Sequence, residues 1–214
     1  MIHFTKLFTL LTAAGATSIC NSSSYSVVTS CYTSFLNFYN LTISSSMMFP
    51  KYKTFLEARR NYEIIGSIDK LKETCTIQNS LTSCLGSSVS CVNSEDLLKI
   101  FKFNKSDNEE YTGDYYMSNY KCTTGYQFLL NNFNCLVTTE VFGIDKIKEC
   151  STNFENSLKS KGCEAGNDLI SCLSGVYSSF CGPKAADFVC NLAKIDMTYD
   201  MPECNGKFVK CNPL

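Results

Sequence analysis

Apolar residues recur at alternating steps of three and four along most of this chain, which places them on one face of an α-helix. Between Tyr25 and Thr42 they are Val28, Cys31, Phe35 and Phe38. Longer stripes run from Phe55 to Cys75, from Cys122 to Leu136 and from Ile144 to Leu158, and shorter ones surround Leu81 and Leu97. Asn93 or Ser94 is suited to cap the helix around Leu97. Gly162 is suited to end the helix that contains the stripe from Ile144 to Leu158. The pattern predicts an all-α fold of about seven or eight short amphipathic helices.

Four cysteines stand nine residues apart in the stretch 163–190, namely Cys163, Cys172, Cys181 and Cys190. The apolar spacing between them is helical, and a second helix is expected to begin near Pro183 because proline is tolerated at a first helical position. Nine residues span about 13 Å of helix, whereas a disulfide needs Cα atoms within about 7 Å. We therefore expect no two neighbouring cysteines of this ladder to bond each other, and each to staple the helices to another part of the fold.

Two segments resemble each other: CTIQNSLTSCL at 75–85 and CEAGNDLISCL at 163–173. The helix after Cys31 also matches the one after Cys122 in phase, and Cys91 matches Cys181 in its place before a helix. These matches indicate an internally duplicated helical unit, with chance similarity among cysteine-rich helices as the alternative. The polar, acidic and tyrosine-rich segment 104–119 would then be an exposed connector.

A count of cysteines bears on the number of domains. Residues 20–103 hold five cysteines and residues 122–211 hold nine. Both numbers are odd, so complete pairing requires at least one bridge between the two parts. We therefore predict one extracellular domain over 19–214.

The first eighteen residues predict a signal peptide, with an apolar run after Lys6 and cleavage after Ala16 or Ser18. An N-terminal core helix is the alternative. Secretion favours disulfide bonds for all fourteen cysteines, because it exposes them to an oxidising compartment. They are Cys20, Cys31, Cys75, Cys84, Cys91, Cys122, Cys135, Cys150, Cys163, Cys172, Cys181, Cys190, Cys204 and Cys211. No C-x-x-C pair suggests a metal site, and no later apolar run is long enough to span a membrane.

The composition also argues against catalysis. The only histidine, His3, lies in the predicted signal peptide, so mechanisms that need a histidine are excluded from the mature chain. After loss of Lys6 the chain carries 18 basic and 20 acidic residues, a net charge of −2 without the basic face of a nucleic-acid binder. We expect no enzyme, no cofactor and no nucleic-acid partner.

Several short motifs have a functional and a plain interpretation. Asp107, Glu109, Glu110 and Asp114 could supply paired carboxylates, but a solvated acidic loop is favoured. Tyr111, Tyr115 and Tyr116 follow acidic residues and are candidates for sulfation. Arg59-Arg60 could be a dibasic processing site, although a solvated helix face is favoured. Sequons predict N-glycosylation at Asn21, Asn40 and Asn104.

The order of cysteines resembles that of a known family. Cys31-Tyr32 near the mature start, the tyrosine-rich approach from Tyr116 to Cys122, the series from Cys150 to Cys190 and the closing Pro202-Glu203-Cys204 carry the resemblance. Together they are similar to a nematode family of secreted cysteine-rich proteins catalogued as a domain of unknown function, number nineteen. The resemblance covers Cys31 to Cys211 and implies an extracellular, disulfide-bonded helical fold. It transfers no active site, and Cys20 lies outside the shared pattern.

Two classes of function remain. The first is a non-catalytic extracellular binding or defence-associated protein that recognises a protein or surface. The alternative is a carrier of a small apolar ligand between amphipathic helices, favoured by 15 Phe and 12 Tyr residues. A closed apolar cavity would favour the carrier, and a filled core with an exposed apolar patch would favour the binding protein.

Overall fold

The computed structural model describes residues 20–64, 67–102 and 105–214, and within these ranges it contains nine α-helices and no strand. They are α1 (Tyr25–Phe38), α2 (Tyr52–Ile64), α3 (Ile68–Leu85), α4 (Ser94–Phe101), α5 (Lys105–Cys122), α6 (Tyr126–Phe142), α7 (Ile144–Lys161), α8 (Cys163–Cys181) and α9 (Pro183–Asp200). The all-α prediction is confirmed. The predicted signal peptide and the Asn104 sequon lie outside the described residues.

The described chain forms two compact units, which we call the N-terminal unit (residues 20–122) and the C-terminal unit (residues 123–214). All fourteen cysteines are paired. The N-terminal unit holds Cys20–Cys91, Cys31–Cys84 and Cys75–Cys122. The C-terminal unit holds Cys135–Cys181, Cys150–Cys172, Cys163–Cys204 and Cys190–Cys211. Every bridge therefore lies within one unit.

Cys75–Cys122 is the bridge that the odd cysteine counts required between residues 20–103 and 122–211. Cys122, however, is the last residue of α5 and belongs to the N-terminal unit. The two units thus contain six and eight cysteines, both even. With the units divided after Cys122, the cysteine count no longer implies a bridge between them.

The cysteine ladder behaves as its spacing predicted. Cys163 and Cys190 pair with Cys204 and Cys211 of the C-terminal tail, Cys172 pairs with Cys150 on α7, and Cys181 pairs with Cys135 on α6. No two neighbouring cysteines of the ladder bond each other. Helices α8 and α9 are therefore stapled to α6, α7 and the tail in turn.

The two units share one order of disulfide pairing. In the N-terminal unit the first cysteine pairs with the fifth, the second with the fourth and the third with the sixth. With Cys190–Cys211 set aside, the C-terminal unit has the same order. Six cysteines allow fifteen pairings, so the agreement supports an internal duplication. It makes Cys150, and not Cys122, the counterpart of Cys31, which corrects the helix match proposed from phase.

Local sequence signals place several helix ends. Asn93 accepts a hydrogen bond from the backbone N–H of Asp96 and caps α4, α7 ends before Gly162 with its φ of 53°, and α9 begins at Pro183. The predicted long stripe from Phe55 to Cys75 is two helices, because Ser67 adopts an extended backbone and caps α3. Helix α3 then continues through Leu85 and includes the short helix predicted around Leu81.

The segment 104–119 is not an exposed connector. Its described residues belong to α5, and nine side chains of this helix are buried: Asn108, Tyr111, Thr112, Asp114, Tyr115, Met117, Ser118, Lys121 and Cys122. Polar composition suggested a loop, but several of these polar groups have partners in the neighbouring core: Asp114 and Ser118 accept hydrogen bonds from Arg59, and the Tyr111 hydroxyl donates to the Pro50 carbonyl. A polar helix can be buried where such partners exist.

The cores of the two units differ in composition. In the N-terminal unit aromatic rings contact one another throughout, with Phe49 stacked on Phe101 at 3.8 Å between ring centres and Phe55 on Tyr111 at 5.4 Å. The C-terminal unit buries mainly aliphatic side chains, among them Leu129, Leu136, Leu169, Leu173 and Leu192. The aromatic residues of the N-terminal unit thus fill a core, as the plain interpretation of the helical stripes expected.

Candidate functional site

The N-terminal unit buries an ion pair between α2 and α5. Both terminal nitrogens of Arg59 donate to the carboxylate of Asp114, one of them over 2.9 Å, and Arg59 also donates to the Ser118 hydroxyl at 3.2 Å. The Tyr52 hydroxyl donates to the same carboxylate at 3.2 Å. The guanidinium lies 4.8 Å from the centre of the Phe55 ring. This arrangement fixes the phase of α2 against α5.

Burial by itself would lower the pKa of Arg59, but the Asp114 carboxylate more than offsets this, so the pKa is raised and the guanidinium stays charged. Only 1% of Arg59 is exposed. Arg59 is therefore neither part of a solvated helix face nor accessible to a processing protease. The structure contradicts both interpretations of the Arg59-Arg60 pair for this residue. Asp114 is likewise not part of a solvated acidic loop. We assign this ion pair a role in stability.

Glu63 lies buried near the same ion pair, and burial raises the pKa of its carboxyl although Arg59 and Lys121 oppose the shift. Burial thus makes ionised Glu63 more costly in the folded chain than in the unfolded chain. Its contribution to stability is fully present below the unfolded pKa of about 4.5 and is lost as the pH rises through the raised folded value.

We expect Glu63→Gln, which imitates the protonated carboxyl, to raise the melting temperature at about pH 7.5 relative to wild type and to have no such effect at about pH 4. Thermal unfolding of the oxidised protein across this range measures the difference. Glu57→Gln, at an exposed position of the same helix, is the control and should give a pH-independent difference. The prediction would be contradicted if wild type had the higher melting temperature and its difference from Glu63→Gln grew with pH.

An apolar surface lies at the turn between α6 and α7, and we call it the Phe142 tip: Val141, Phe142, Ile144 and Phe180. Phe142 is 77% exposed and Val141 60%, values typical of polar rather than apolar side chains. Gly143 sits at the centre of the tip. A Cβ there would lie 2.6 Å from the Thr139 carbonyl oxygen and 3.4 Å from the Phe180 ring. The glycine therefore lets Phe180 of α8 approach the turn closely.

A groove of about 390 Å³ lies between α7 and α8, and we call it the α7–α8 groove. It is lined by Cys150, Asn153, Phe154, Ser157, Lys161, Asp168, Leu169 and Cys172. Its floor is apolar, formed by buried Phe154 and Leu169 and the Cys150–Cys172 bridge. At one end the Lys161 ammonium donates to the Asp168 carboxylate at 2.7 Å, and both side chains are about half exposed. Sequence analysis did not predict this groove.

A second depression of about 450 Å³ lies along residues 40–50 in the N-terminal unit and is lined by Asn40, Leu41, Thr42, Ser44, Ser46, Met48, Phe49 and Pro50. Exposed and polar residues line both cavities, so neither is the closed apolar chamber that would favour the carrier function. A glycan on Asn40 would stand at the rim of this second depression.

The predicted modification sites are placed as follows. Asn21 is exposed, and its side chain accepts a hydrogen bond from the Ser24 backbone N–H. Asn40 is exposed directly after α1, with a φ of 57°. Tyr111 and Tyr115 are only 2% and 3% exposed, which contradicts their role as sulfation acceptors in the folded chain. Glycosylation of Asn21 and Asn40 and sulfation of the half-buried Tyr116 stay predictions.

No helix among the described residues has the length and apolar character needed to cross a membrane. Comparisons with known proteins give no further guide to the site, because no family model, no curated protein and no solved structure matches the chain. The Phe142 tip and the α7–α8 groove are thus the surfaces from which function can be argued.

Proposed function

We propose that this chain is a secreted, non-catalytic binding protein that recognises another extracellular protein through the Phe142 tip. The observation that carries the proposal is the exposure of Val141, Phe142 and Ile144 around one short turn, with the exposed Phe180 close to Gly143 at its centre. Apolar side chains exposed together are characteristic of interaction surfaces, because a partner removes them from water. A phenylalanine is moreover among the residues enriched in the buried cores of interfaces.

The tip is held by disulfides on both sides, which suits recognition. Cys135–Cys181 joins α6 to the end of α8, and Cys150–Cys172 joins α7 to the middle of α8. A turn fixed in this way loses little conformational entropy on binding, so less of the interaction energy is spent on ordering it. The proposal includes secretion, which seven disulfides support. Membership of the nematode cysteine-rich family rests on the order of cysteines alone.

The experiment compares three tagged proteins, wild type, Phe142→Ser and Leu98→Ser, incubated with extracellular fluid of the source organism. Leu98 is 39% exposed on α4 and serves as a matched apolar control. We expect the wild type and Leu98→Ser to capture the same protein in similar amounts. Phe142→Ser should capture at least tenfold less of that protein. Cross-linking followed by mass spectrometry should place the contact at residues 141–146.

Equal capture by all three proteins, or cross-links elsewhere on the chain, would overturn the role of the tip. Mass spectrometry of the purified wild type also tests the alternative function. An apolar small molecule that co-purifies in stoichiometric amount, without a protein partner, would replace the proposal by the carrier. N-terminal sequencing of the secreted chain tests cleavage after Ala16 or Ser18.

A further inference from the structure

The backbone at the end of α1 holds Asn40 in a defined position. Asn40 has a left-handed conformation, with a φ of 57°, and its N–H donates to the Asn37 carbonyl at 3.0 Å. The next N–H, that of Leu41, donates to the Leu36 carbonyl, also at 3.0 Å. These two hydrogen bonds form a Schellman motif, in which asparagine can take the place of glycine. They therefore fix the direction in which the exposed Asn40 side chain leaves the helix end.

The loop after Asn40 is folded back on itself. The Ser44 N–H donates to the Met48 carbonyl and the Met47 N–H donates to the Ser44 carbonyl, each at 2.9 Å. The Met48 N–H in turn donates to the Ser44 hydroxyl at 3.1 Å. The next residue, Phe49, is buried and stacks on Phe101 of the aromatic core. The loop is thus anchored at both ends, and yet the Met48 side chain is 47% exposed.

The depression of about 450 Å³ along residues 40–50, which we call the Asn40 depression, combines hydroxyl groups with apolar side chains. Its hydroxyl groups belong to Thr42, Ser44 and Ser46, and its apolar side chains are Leu41, Met48, Phe49 and Pro50. None of the lining side chains carries a charge. A sugar ring has hydroxyl groups at its edge and apolar C–H groups on its faces, so these linings suit a neutral sugar.

We infer that the Asn40 depression holds the chain's own glycan, with the first N-acetylglucosamine on Asn40 packed over Met48. The sequon Asn40-Leu41-Thr42 supplies this occupant, because Asn40 itself lines the depression. The sugar is transferred from a lipid pyrophosphate: the bond from Asn40 Nδ2 to C1 forms, the bond from C1 to the pyrophosphate oxygen breaks, and the nitrogen releases one proton.

A sugar in this place stabilises the folded N-terminal unit, since it removes the apolar surface of Met48 from water. The inference rests on the secretion included in the proposed function, because the glycan is added in the secretory pathway. It does not depend on the Phe142 tip.

The test uses the full-length protein with Asn21→Gln and Asn104→Gln, which leaves Asn40 as the one sequon, secreted from cells that make only oligomannose glycans. An endoglycosidase then leaves a single N-acetylglucosamine on Asn40, and a peptide N-glycosidase removes the whole glycan and leaves aspartate. We expect the intact and single-sugar forms to melt within about 1 °C of each other, and the sugar-free form to melt about 3 °C lower or more.

Met48→Ser removes the apolar contact, so loss of the sugar should lower the melting temperature of this variant by less than about 1 °C. Leu98→Ser is the matched control, exposed by 39% on α4, and should keep the full difference. The new aspartate is the same in every background, so its own effect cancels in this comparison. In NMR spectra of the single-sugar form, a nuclear Overhauser effect should connect the N-acetyl methyl group with the Met48 methyl group.

Four outcomes would each overturn the inference: Asn40 without a glycan in the secreted protein, equal melting of all three forms, the full difference in Met48→Ser, or no Overhauser effect to Met48. Phe142→Ser separates this site from the proposed function. It should leave all the melting differences unchanged even where it abolishes capture of the partner at the tip.

Discussion

Replacing Asp114 by asparagine is expected to lower the free energy of unfolding by about 3–5 kcal/mol, because Arg59 would keep its charge in a buried site without the carboxylate that compensates it. The asparagine has the size of the carboxylate and can still accept a hydrogen bond, so the loss reports chiefly the missing charge. Arg59→Met should cost a similar amount, since it leaves Asp114 buried without its cation.

Urea unfolding of the oxidised proteins, followed by circular dichroism, measures these losses. The neighbouring Arg60 is exposed, so Arg60→Met is a matched control and should change stability by no more than about 0.5 kcal/mol. The double variant Arg59→Met with Asp114→Leu should recover most of the loss, because an apolar pair replaces the ion pair. A loss for Asp114→Asn as small as that for Arg60→Met would show that the carboxylate is hydrated in solution.

This ion pair shows what the sequence could not predict. Arg59 and Arg60 are identical in type and adjacent, and only the phase of α2 against α5 buries one and exposes the other. That phase depends on contacts between residues 55 positions apart. The same dependence hides the burial of α5. Its Asp114 and Ser118 accept hydrogen bonds from Arg59 of α2, and its Tyr115 hydroxyl donates to Thr82 of α3.

Local signals, by contrast, were sufficient for much of the fold. The apolar spacing predicted most of the helices, and Asn93, Gly162 and Pro183 marked ends that the structure confirms. Helical geometry alone excluded bonds between neighbouring ladder cysteines. The partners of those cysteines could not be chosen in the same way, since fourteen cysteines allow very many pairings and each depends on tertiary contacts.

The internal duplication lies between these two cases. The repeated Cys-x-Thr-x-Phe-x-Asn at Cys31 and Cys150 was present in the sequence and would have aligned α1 with α7. Matching the Cys31 helix to Cys122 by phase obscured it, because amphipathic helices of similar composition agree in phase at several registers. The disulfide order of the two units resolves this ambiguity.

Removing the Cys75–Cys122 bridge by paired alanine substitution is expected to destabilise the N-terminal unit by about 4 kcal/mol. The bridge closes 47 residues of chain, and the loss of that constraint increases the entropy of the unfolded state. Both cysteines are buried, so alanine introduces no unsatisfied polar group. Because every bridge lies within one unit, amide protons of α3 and α5 should lose protection against exchange while those of α7, α8 and α9 keep theirs.

The matched control removes Cys190–Cys211, which closes 21 residues in the C-terminal unit and should cost about 3 kcal/mol. Its loss of protection should be confined to α9 and the other helices of that unit. Together the two variants decide between the single domain predicted from the odd cysteine counts and two units that unfold separately. If either variant lowers protection in α3 and α8 alike, the chain unfolds as one cooperative domain; if each affects only its own unit, the shared disulfide order describes two folding units.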